Sequence, residues 1–454
     1  MTELFPGLST LRPPRMVRVL QHFDRPRIAD VEAEVARQLA RPDVAATLDG
    51  LGTVALAVGS RGIAGIDRIV AALVAALQAG GLEVFIVPAM GSHGGATAAG
   101  QEDVLRHLGI TAASVGAPIR SSMEVVEIAS VRSPHGRELP LVMDAAAVGQ
   151  ADAVIPVNRV KPHTGFRGPV ESGLCKIIAL GLGKHVGAAR LHREGYVVFD
   201  RLILEAAEAI LETGRVAFGL AVVENAYDET ARIEALPASG LVTGERALLD
   251  EARRLMPRVL LPEVDVLVVE EFGKNISGIG MDANVTGRGE LGLPLPGFDG
   301  PLIHRIVVLG LTPESGGNAH GIGLADVITD RALEAIDLPT TWTNSVTAGS
   351  LACGRIPPAL PSDDQAVMAA ASAVPGVAAE EARIVRIRNT LRLAEIAVSE
   401  NLADVAAGVE GCTVAGVWDG TWGVGERRRR AAVTAGRRSP RGTRAPGDGP
   451  AVSR

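Results

Sequence analysis

The sequence is poor in cysteine and has no long apolar run, and these absences exclude several classes of protein. Its three cysteines, Cys175, Cys353 and Cys412, cannot form a disulfide framework, and no CxxC spacing indicates structural zinc. No apolar stretch is long enough to span a bilayer, and the first residues lack the apolar core of a signal peptide. We therefore expect a cytoplasmic protein that does not bind membranes.

A surplus of positive charge is also missing. The net charge is −7, and the body of the chain suggests no basic face, so we expect no nucleic-acid partner. The exception is the Arg-, Gly- and Pro-rich segment 426–454, which has almost nothing to bury and is predicted to be disordered. It is either an arm for nucleic acid or a membrane surface or, as we favour, an extension with solvated charges.

The composition and the periodicity predict an α/β protein. With 454 residues, 47% of them hydrophobic, the chain can form two or three domains with real cores. Strand-like and helix-like patterns alternate from residue 53, which predicts parallel βαβ units with loops at the carboxyl ends of the strands. The alternating segments are the strands 53–58 and 82–88 and the helices 66–81 and 101–109, with Gly-rich loops at 59–65 and 89–97.

The alternation starts again at residue 264, which predicts a second domain. We divide the chain into an N-terminal α/β domain (1–255), a C-terminal α/β domain (256–420) and the tail (426–454). Both domains are predicted to contain Rossmann-like βα units, with a cofactor and substrate cleft between them.

Two histidines stand in separate loops at the same predicted edge of the first sheet: His93 in GSHGGAT and His163 in KPHTGFRGP. Taken alone, each is more typical of a hydrogen-bonded structural histidine. Together, two imidazoles on either side of a substrate carbon suit a racemase or epimerase, since each can act as acid or base near neutral pH. Arg61, in GSRGIAG, could bind a carboxylate with two parallel hydrogen bonds, or it could be a structural ion-pair former.

Lys176 lies in the apolar segment LCKIIALGLG. Its ammonium either reaches out to solvent or is a buried amine suited to covalent attachment. His192 follows sixteen residues later and could be a metal ligand. The residues alone thus indicate a site for a hydroxy or keto acid. No GxGxxG motif follows a strand, which argues against an ordinary nicotinamide dehydrogenase.

Four motifs carry a resemblance to a known family. They occur in the order GSHGGAT, RVKPHTGFRGPVESGLCK, GLGKHVGA and GKNISGIGMDANVTGR. Over residues 10–415 the chain resembles the nickel-dependent lactate racemase family. That resemblance implies two α/β domains that enclose a nickel pincer nucleotide (nickel pyridinium-3,5-bisthiocarboxylic acid mononucleotide). It also implies a role for each matching residue: Lys176 as the covalent tether, His192 as the nickel ligand, His93 and His163 as the acid/base pair, and Arg61 and Lys274 as substrate-binding residues.

The resemblance implies racemisation or epimerisation of a 2-hydroxy acid by proton-coupled hydride transfer. Two positions depart from the lactate racemase pattern: Val58 replaces an acidic residue, and Glu271 replaces an amide. With the long polar loop 273–288, they favour a larger 2-hydroxy acid or a sugar acid. That loop is either a structured loop or a lid over the ligand. The alternative function is a non-catalytic protein that binds a hydroxy acid or nucleotide on the same fold. The expected partners are a small-molecule substrate and the enzymes that make the cofactor.

Overall fold

Two sheets and one separate hairpin form the framework of the protein. The computed structural model describes residues 7–8, 10–60 and 62–422. The strands are β1 (Met16–Gln21), β2 (Thr53–Val58), β3 (Glu83–Pro88), β4 (Val125–Arg132), β5 (Glu138–Asp144), β6 (Ala153–Arg159), β7 (Phe218–Glu224), β8 (Thr230–Pro237), β9 (Glu263–Val269), β10 (Leu302–Val308), β11 (Val327–Thr329), β12 (Ala359–Leu360), β13 (Ile384–Ile387), β14 (Glu395–Ser399) and β15 (Cys412–Val417).

Helices connect most of these strands. They are α1 (Val31–Leu39), α2 (Pro42–Ala45), α3 (Ile66–Ala79), α4 (Ala98–His107), α5 (Ala112–Val115), α6 (Ala145–Gln150), α7 (Leu174–Lys176), α8 (Lys184–His192), α9 (Phe199–Glu212), α10 (Leu241–Leu255), α11 (Ala283–Thr286), α12 (Asp330–Glu334), α13 (Leu338–Thr347), α14 (Asp363–Ser372) and α15 (Ala403–Gly408). A π-helical turn, Ile177–Gly181, lies between α7 and α8.

The first sheet has the strand order β3-β2-β6-β7-β8. The first four of these strands are parallel, and β8 runs antiparallel to β7. Along β2, Ala55 and Ala57 pack into one core cluster and Leu56 and Val58 into another, so both faces are buried. Both faces of a parallel sheet are covered by the helices that connect its strands. The carboxyl ends of β3, β2 and β6 therefore share one edge, as the sequence predicts.

The second sheet has the order β12-β11-β10-β9-β13-β14-β1-β15. Its strands from β12 to β13 are parallel, whereas β14, β1 and β15 are antiparallel to their neighbours. Although β1 falls within the predicted N-terminal domain 1–255, its pairing with β14 and β15 places it in the second sheet. The division near residue 255 itself stays a prediction. The fold class predicted from the sequence, α/β with parallel βα units, is confirmed.

A second unit of the chain begins at Trp418. In its described part, the rings of Trp418 and Trp422 lie 5.4 Å apart. The predicted disordered tail, 426–454, lies outside the described residues. Among the helices that are described, none is both long enough and apolar enough to cross a bilayer.

Candidate functional site

His93 lies in the loop that follows β3, just before a 3-10 turn, Gly94–Ala96. The imidazole is exposed, and its Nδ1 forms a short hydrogen bond with the hydroxyl of Ser60 in the loop after β2. Nε2 of the buried Gln101 donates to the carbonyl of Gly91 at 2.8 Å, which fixes the start of the loop. Gly94 has φ +65°, and a Cβ there would lie 2.6 Å from the backbone at residues 100 and 101. The glycine therefore permits the close approach that holds this loop against α4.

His163 lies in a tight turn after β6 and is almost completely buried. The carboxylate of Glu171 accepts the backbone N–H of His163 at 2.6 Å and that of Gly168 at 3.3 Å. Nη2 of Arg253 donates to the same carboxylate at 2.6 Å, so the buried charge has a partner. The backbone N–H of Gly165 donates to Nδ1 of His163 at 3.0 Å. These bonds fix the position of the imidazole.

A row of aromatic rings joins the surroundings of His163 to those of His192. The imidazole of His163 stacks on Phe166 with ring centroids 4.3 Å apart. Phe166 meets Phe199 edge to face at 5.7 Å, and Phe199 lies 4.9 Å from the ring of His192. Because both histidines contact the same aromatic cluster, the structure brings these two predicted site residues together.

His192 ends α8, and its protonation is set by its neighbours. Its Nδ1 lies 2.7 Å from the carbonyl oxygen of Ala188. Since a carbonyl only accepts, Nδ1 carries the proton and Nε2 keeps its lone pair. The imidazole is open to solvent on one side, but the surrounding protein lowers the pKa of His192 by desolvation. The hydrogen bond to Ala188 opposes this effect, and the positive charge of Lys176 lowers the pKa further. The ring is therefore neutral near pH 7.

Lys176 is half-buried at the end of α7. The start of this short helix is held by Glu245 of α10, whose carboxylate accepts the backbone N–H of Cys175 at 2.7 Å. Burial raises the pKa of Glu245 to about 7. A Cβ at Gly173 would overlap this carboxylate, so only glycine fits there. Burial also raises the pKa of the Cys175 thiol, so Cys175 is a buried apolar residue and not a nucleophile.

A buried ion pair lies beneath the His93 loop. Nζ of Lys184 lies 2.8 Å from Asp144 and donates to the carbonyl of Pro88, the last residue of β3, at 2.5 Å. Both side chains of the pair are fully buried, and Lys184 has φ +53°, in the left-handed region. The pair therefore ties the start of α8, the helix that ends in His192, to the strand that precedes His93.

Lys274 lies in the second half of the chain. Its ammonium donates to the carbonyl of Gly278 and, at 2.9 Å, to Oδ1 of Asn344. Nearby, Nδ1 of the buried His320 lies 2.9 Å from the hydroxyl of Ser345. Burial, with a smaller effect of the Lys274 charge, lowers the pKa of His320 to about 4. His320 is thus a neutral histidine with a structural hydrogen bond.

The loop that carries His163 packs against the second half of the chain. The segment that it contacts is the polar loop 273–288 with the adjacent Glu290. This loop carries Lys274, so Lys274 lies on a segment that adjoins the His163 turn. Three side-chain pairs make this contact: Lys161 with Asp282 at 3.7 Å, Thr164 with Glu290 at 3.0 Å, and Arg167 with Asn284 at 2.5 Å.

The His93 loop packs against the segment that carries Lys176 and His192. The backbone N–H of Gly91 donates to the carbonyl of Gly181 at 3.2 Å. The loops of His93, His163, Lys176 and His192 thus form one connected region, which Lys274 adjoins through its loop. Arg61 lies outside the described residues, and the chemical roles of all six residues stay predictions.

Sequence reasoning missed several side chains that shape this region. The omitted residues are Ser60, Asp144, Glu171, Lys184 and Glu245. Glu171 lies in the polar motif KPHTGFRGPVESG, and this position indicates that it belongs to the site. Glu245 and Lys184 gave none, because charged residues in helical segments ordinarily face solvent.

One cluster in the described part of the chain has the residue types and spacing of a metal site: Glu263, Asp265 and His304. Arg383 already occupies it, since the guanidinium contacts Glu263 at 2.5 Å and Asp265 at 2.7 Å. None of the predicted site residues belongs to this cluster, which lies on β9 and β10 of the second sheet.

Comparisons with known proteins define the class of fold. Residues 65–232 match the family model described as a domain of unknown function (DUF362). No curated protein matches the chain. The crystal structure of a Thermotoga maritima protein is 13% identical and has a TM-score of 0.51, over 80% of this chain and 96% of that one.

The second solved structure gives the fold a more particular description. It is the lactate racemase apoprotein from Thermoanaerobacterium thermosaccharolyticum, 14% identical, with a TM-score of 0.51 over 82% of this chain and 94% of that one. The chain therefore has a lactate racemase-like fold. At this identity the likeness establishes the fold alone.

Proposed function

We propose that the protein is a racemase or epimerase of a 2-hydroxy acid that carries a nickel pincer nucleotide on Lys176. The observation that carries the proposal is the hydrogen bond from Nδ1 of His192 to the carbonyl of Ala188, on the segment that also carries Lys176 and that packs against the His93 loop. His192 is neutral, with a lone pair on Nε2, which is the form in which histidine binds a metal.

The donor set fits the implied cofactor. Lys176 would hold the nucleotide covalently, and Nε2 of His192 would bind the nickel. The hydrogen bond from Nδ1 of His192 to the carbonyl of Ala188 is the kind of outer contact that orients a metal-bound histidine. When bound, the group supplies a centre that accepts hydride from the substrate carbon.

The protein's own groups handle the proton and the substrate charge. We assign His93 and His163 to the transfer of the hydroxyl proton, which contributes about 10²–10⁴-fold for each well-placed group. The aromatic row beside His163 excludes water from that side of the site. Lys274 and Arg61 are assigned to the substrate carboxylate, which needs cationic donors.

The test is intact-mass analysis of protein co-expressed with the enzymes that make the cofactor, with a known lactate racemase as positive control. The wild type should carry a covalent nucleotide adduct, and Lys176→Ala should carry none. Lys161→Ala is the matched control, since it removes a different half-exposed lysine. An unmodified wild type, or an unchanged adduct on Lys176→Ala, would reject the proposal and favour the binding-protein alternative.

Nickel content tests the role of His192 separately. His192→Ala should keep the adduct and lose most of its nickel, whereas His185→Ala, an exposed histidine on the same helix, should keep both. Nickel-loaded protein should then be screened with lactate, malate, aryl and sugar 2-hydroxy acids for loss of optical purity. The departures at Val58 and Glu271 lead us to expect a larger acid than lactate.

A further inference from the structure

The two histidines differ in the groups that contact their Nδ1 atoms. Nδ1 of His93 contacts the hydroxyl of Ser60, whereas Nδ1 of His163 accepts the backbone N–H of Gly165 at 3.0 Å. A hydroxyl can donate or accept, but an amide N–H can only donate. His93 therefore keeps its partner in every protonation state. His163 keeps its partner only while Nδ1 bears a lone pair.

Glu171 fixes the orientation of the turn in which the N–H of Gly165 points at the imidazole of His163. Its fully buried carboxylate accepts the N–H groups of His163 at 2.6 Å and of Gly168 at 3.3 Å, so it fixes both sides of the turn that contains Gly165. The salt bridge with Arg253 at 2.6 Å holds the carboxylate itself in place. The carbonyl groups of residues 163 and 168 accept from Arg167 at 2.9 Å and from Arg253 at 3.3 Å, but their N–H groups are held by Glu171.

The charges around the turn do not decide the protonation of the imidazole. Two arginines, Arg167 and Arg253, face the buried carboxylate of Glu171. One oxygen of the buried Glu290 accepts the hydroxyl of Thr164, but its other oxygen has no hydrogen-bond partner among the described residues and would lie 3.3 Å from a Cβ at Gly165. The position of the proton on His163 therefore follows from the N–H of Gly165 alone.

We propose that Glu171 is a positioning residue that holds His163 as a neutral imidazole with its proton on Nε2, so that the two histidines are unequal in the resting protein. His163 rests as a hydrogen-bond donor toward the substrate oxygen, and His93 is the imidazole that accepts the hydroxyl proton and later returns it, so neither ring has to become an imidazolate. This assignment of roles rests on the proposed function. The position of the proton on His163 does not.

The direct test is a long-range ¹H–¹⁵N correlation spectrum of the ¹⁵N-labelled full chain, with His163→Gln used to assign the resonances. At neutral pH the Nδ1 of His163 should show the shift of an unprotonated nitrogen and Nε2 that of a protonated one. A proton on Nδ1, or averaged shifts of two tautomers, would overturn the proposal. No cofactor is needed, so failure of the nickel chemistry and failure of this inference are separable.

Two matched variants test the part played by Glu171. Glu171→Gln and Asp250→Asn each remove a carboxylate from Arg253, which contacts Asp250 at 2.8 Å, but only Glu171 contacts His163. Glu171→Gln should convert His163 to a mixture of tautomers, and Asp250→Asn should leave the wild-type spectrum. A folded Glu171→Gln protein with an unchanged tautomer would reject the positioning role.

Glu171→Asp provides a second, charge-conserving variant in case Glu171→Gln does not fold. Its shorter carboxylate should keep the salt bridge to Arg253 but reach only one of the two N–H groups, so it should also show mixed tautomers. In the nickel-loaded enzyme at saturating substrate, Glu171→Gln should change the ratio of initial rates on the two enantiomers, and Asp250→Asn should not. An unchanged ratio would contradict the unequal roles of the histidines.

Discussion

Glu245 is a buried acid whose protonation is coupled to folding. Its carboxyl group is fully enclosed and accepts the backbone N–H of Cys175, next to Lys176. Burial raises its pKa from 4.5 to about 7. In the unfolded chain the group loses its proton near pH 4.5, so between these two values the folded protein binds the proton that the unfolded chain has released. The folded state therefore disfavours the ionised form of Glu245.

We expect the free energy of unfolding to fall as the pH rises from about 4.5 to about 7, and to change little above that range because of Glu245. The slope is at most about 1.4 kcal/mol per pH unit, and the total is about 3 kcal/mol. Glu245→Gln should remove this decrease. Urea denaturation at pH 5 and pH 8 measures it, with the exposed Glu212→Gln as control. Equal pH dependence in wild type and Glu245→Gln would show that another group is responsible.

Single residues were predictable where the chemistry appears in a local motif. His93 and His163 stand out because imidazoles in Gly-rich loops after strands are unusual and chemically specific. Lys184 and Glu245 look like ordinary surface residues of helices, and their burial depends on partners 40 and 70 residues away, Asp144 and Cys175. Periodicity within one segment carries no information about such a partner.

The π-helical turn Ile177–Gly181 is the element that joins the Lys176 segment to the His93 loop. A Cβ at Gly181 would lie 2.5 Å from the carbonyl oxygen of Ala89 and 2.8 Å from Cγ1 of Ile177. The backbone of the turn therefore approaches the end of β3 as closely as atoms allow. The π geometry is typical of functional sites, where an extra residue redirects a helix.

Gly181→Ala should destabilise the protein by about 1–3 kcal/mol, because the added methyl group must push the turn away from Ala89. The same substitution at Gly149, an exposed helical position with open space around it, should be neutral or slightly stabilising. Chemical denaturation of both variants gives the comparison. A Gly181→Ala protein as stable as Gly149→Ala would contradict the close contact.

Elements were predictable in proportion to their length and periodicity. The strand β2 occupies the predicted range 53–58, and the helix α3 begins at the predicted residue 66 and ends two residues before 81, since both are strongly patterned. The β4–β5 hairpin was not predicted, because every residue of β4 is partly or fully exposed and its apolar residues do not alternate regularly with polar ones. The sequence also did not indicate that β8, β14 and β15 run antiparallel to their neighbours. The direction of a strand depends on the strands it pairs with, and for β14 and β15 one of these lies far along the chain.

At the scale of the whole molecule, the two sheets are joined by a contact between two loops. These are the loop after β6 and the polar loop 273–288. The guanidinium of Arg167 reaches Oδ1 of Asn284 at 2.5 Å and also donates to the carbonyl of His163 at 2.9 Å. The side chain of Arg167 therefore links the turn of the first sheet to the polar loop of the second.

A double-mutant cycle with Arg167→Ala and Asn284→Ala should give a coupling energy of about 0.5–3 kcal/mol, as expected for contacting residues that share a charged hydrogen bond. The measurement is the free energy of unfolding of the wild type, both single variants and the double variant. Additive effects, with coupling near zero, would show that this hydrogen bond does not connect the two loops in solution.

The sequence predicted the α/β fold class and most of the motifs that meet in the candidate site. It did not predict which loops of the two sheets touch, since Lys161–Asp282 and Thr164–Glu290 join residues more than a hundred positions apart. Such contacts follow from how the sheets pack, which no local pattern encodes.

The position of β1 has a consequence for how the protein is made. Its two neighbours in the sheet, β14 and β15, follow it along the chain by more than 370 residues. At roughly 5–20 residues per second, β1 waits for tens of seconds before it can pair. During that time Val19, fully buried in the finished protein, is exposed on a strand with two open edges. Newly made chains should therefore depend on chaperones that shield β1 until β14 and β15 have been made.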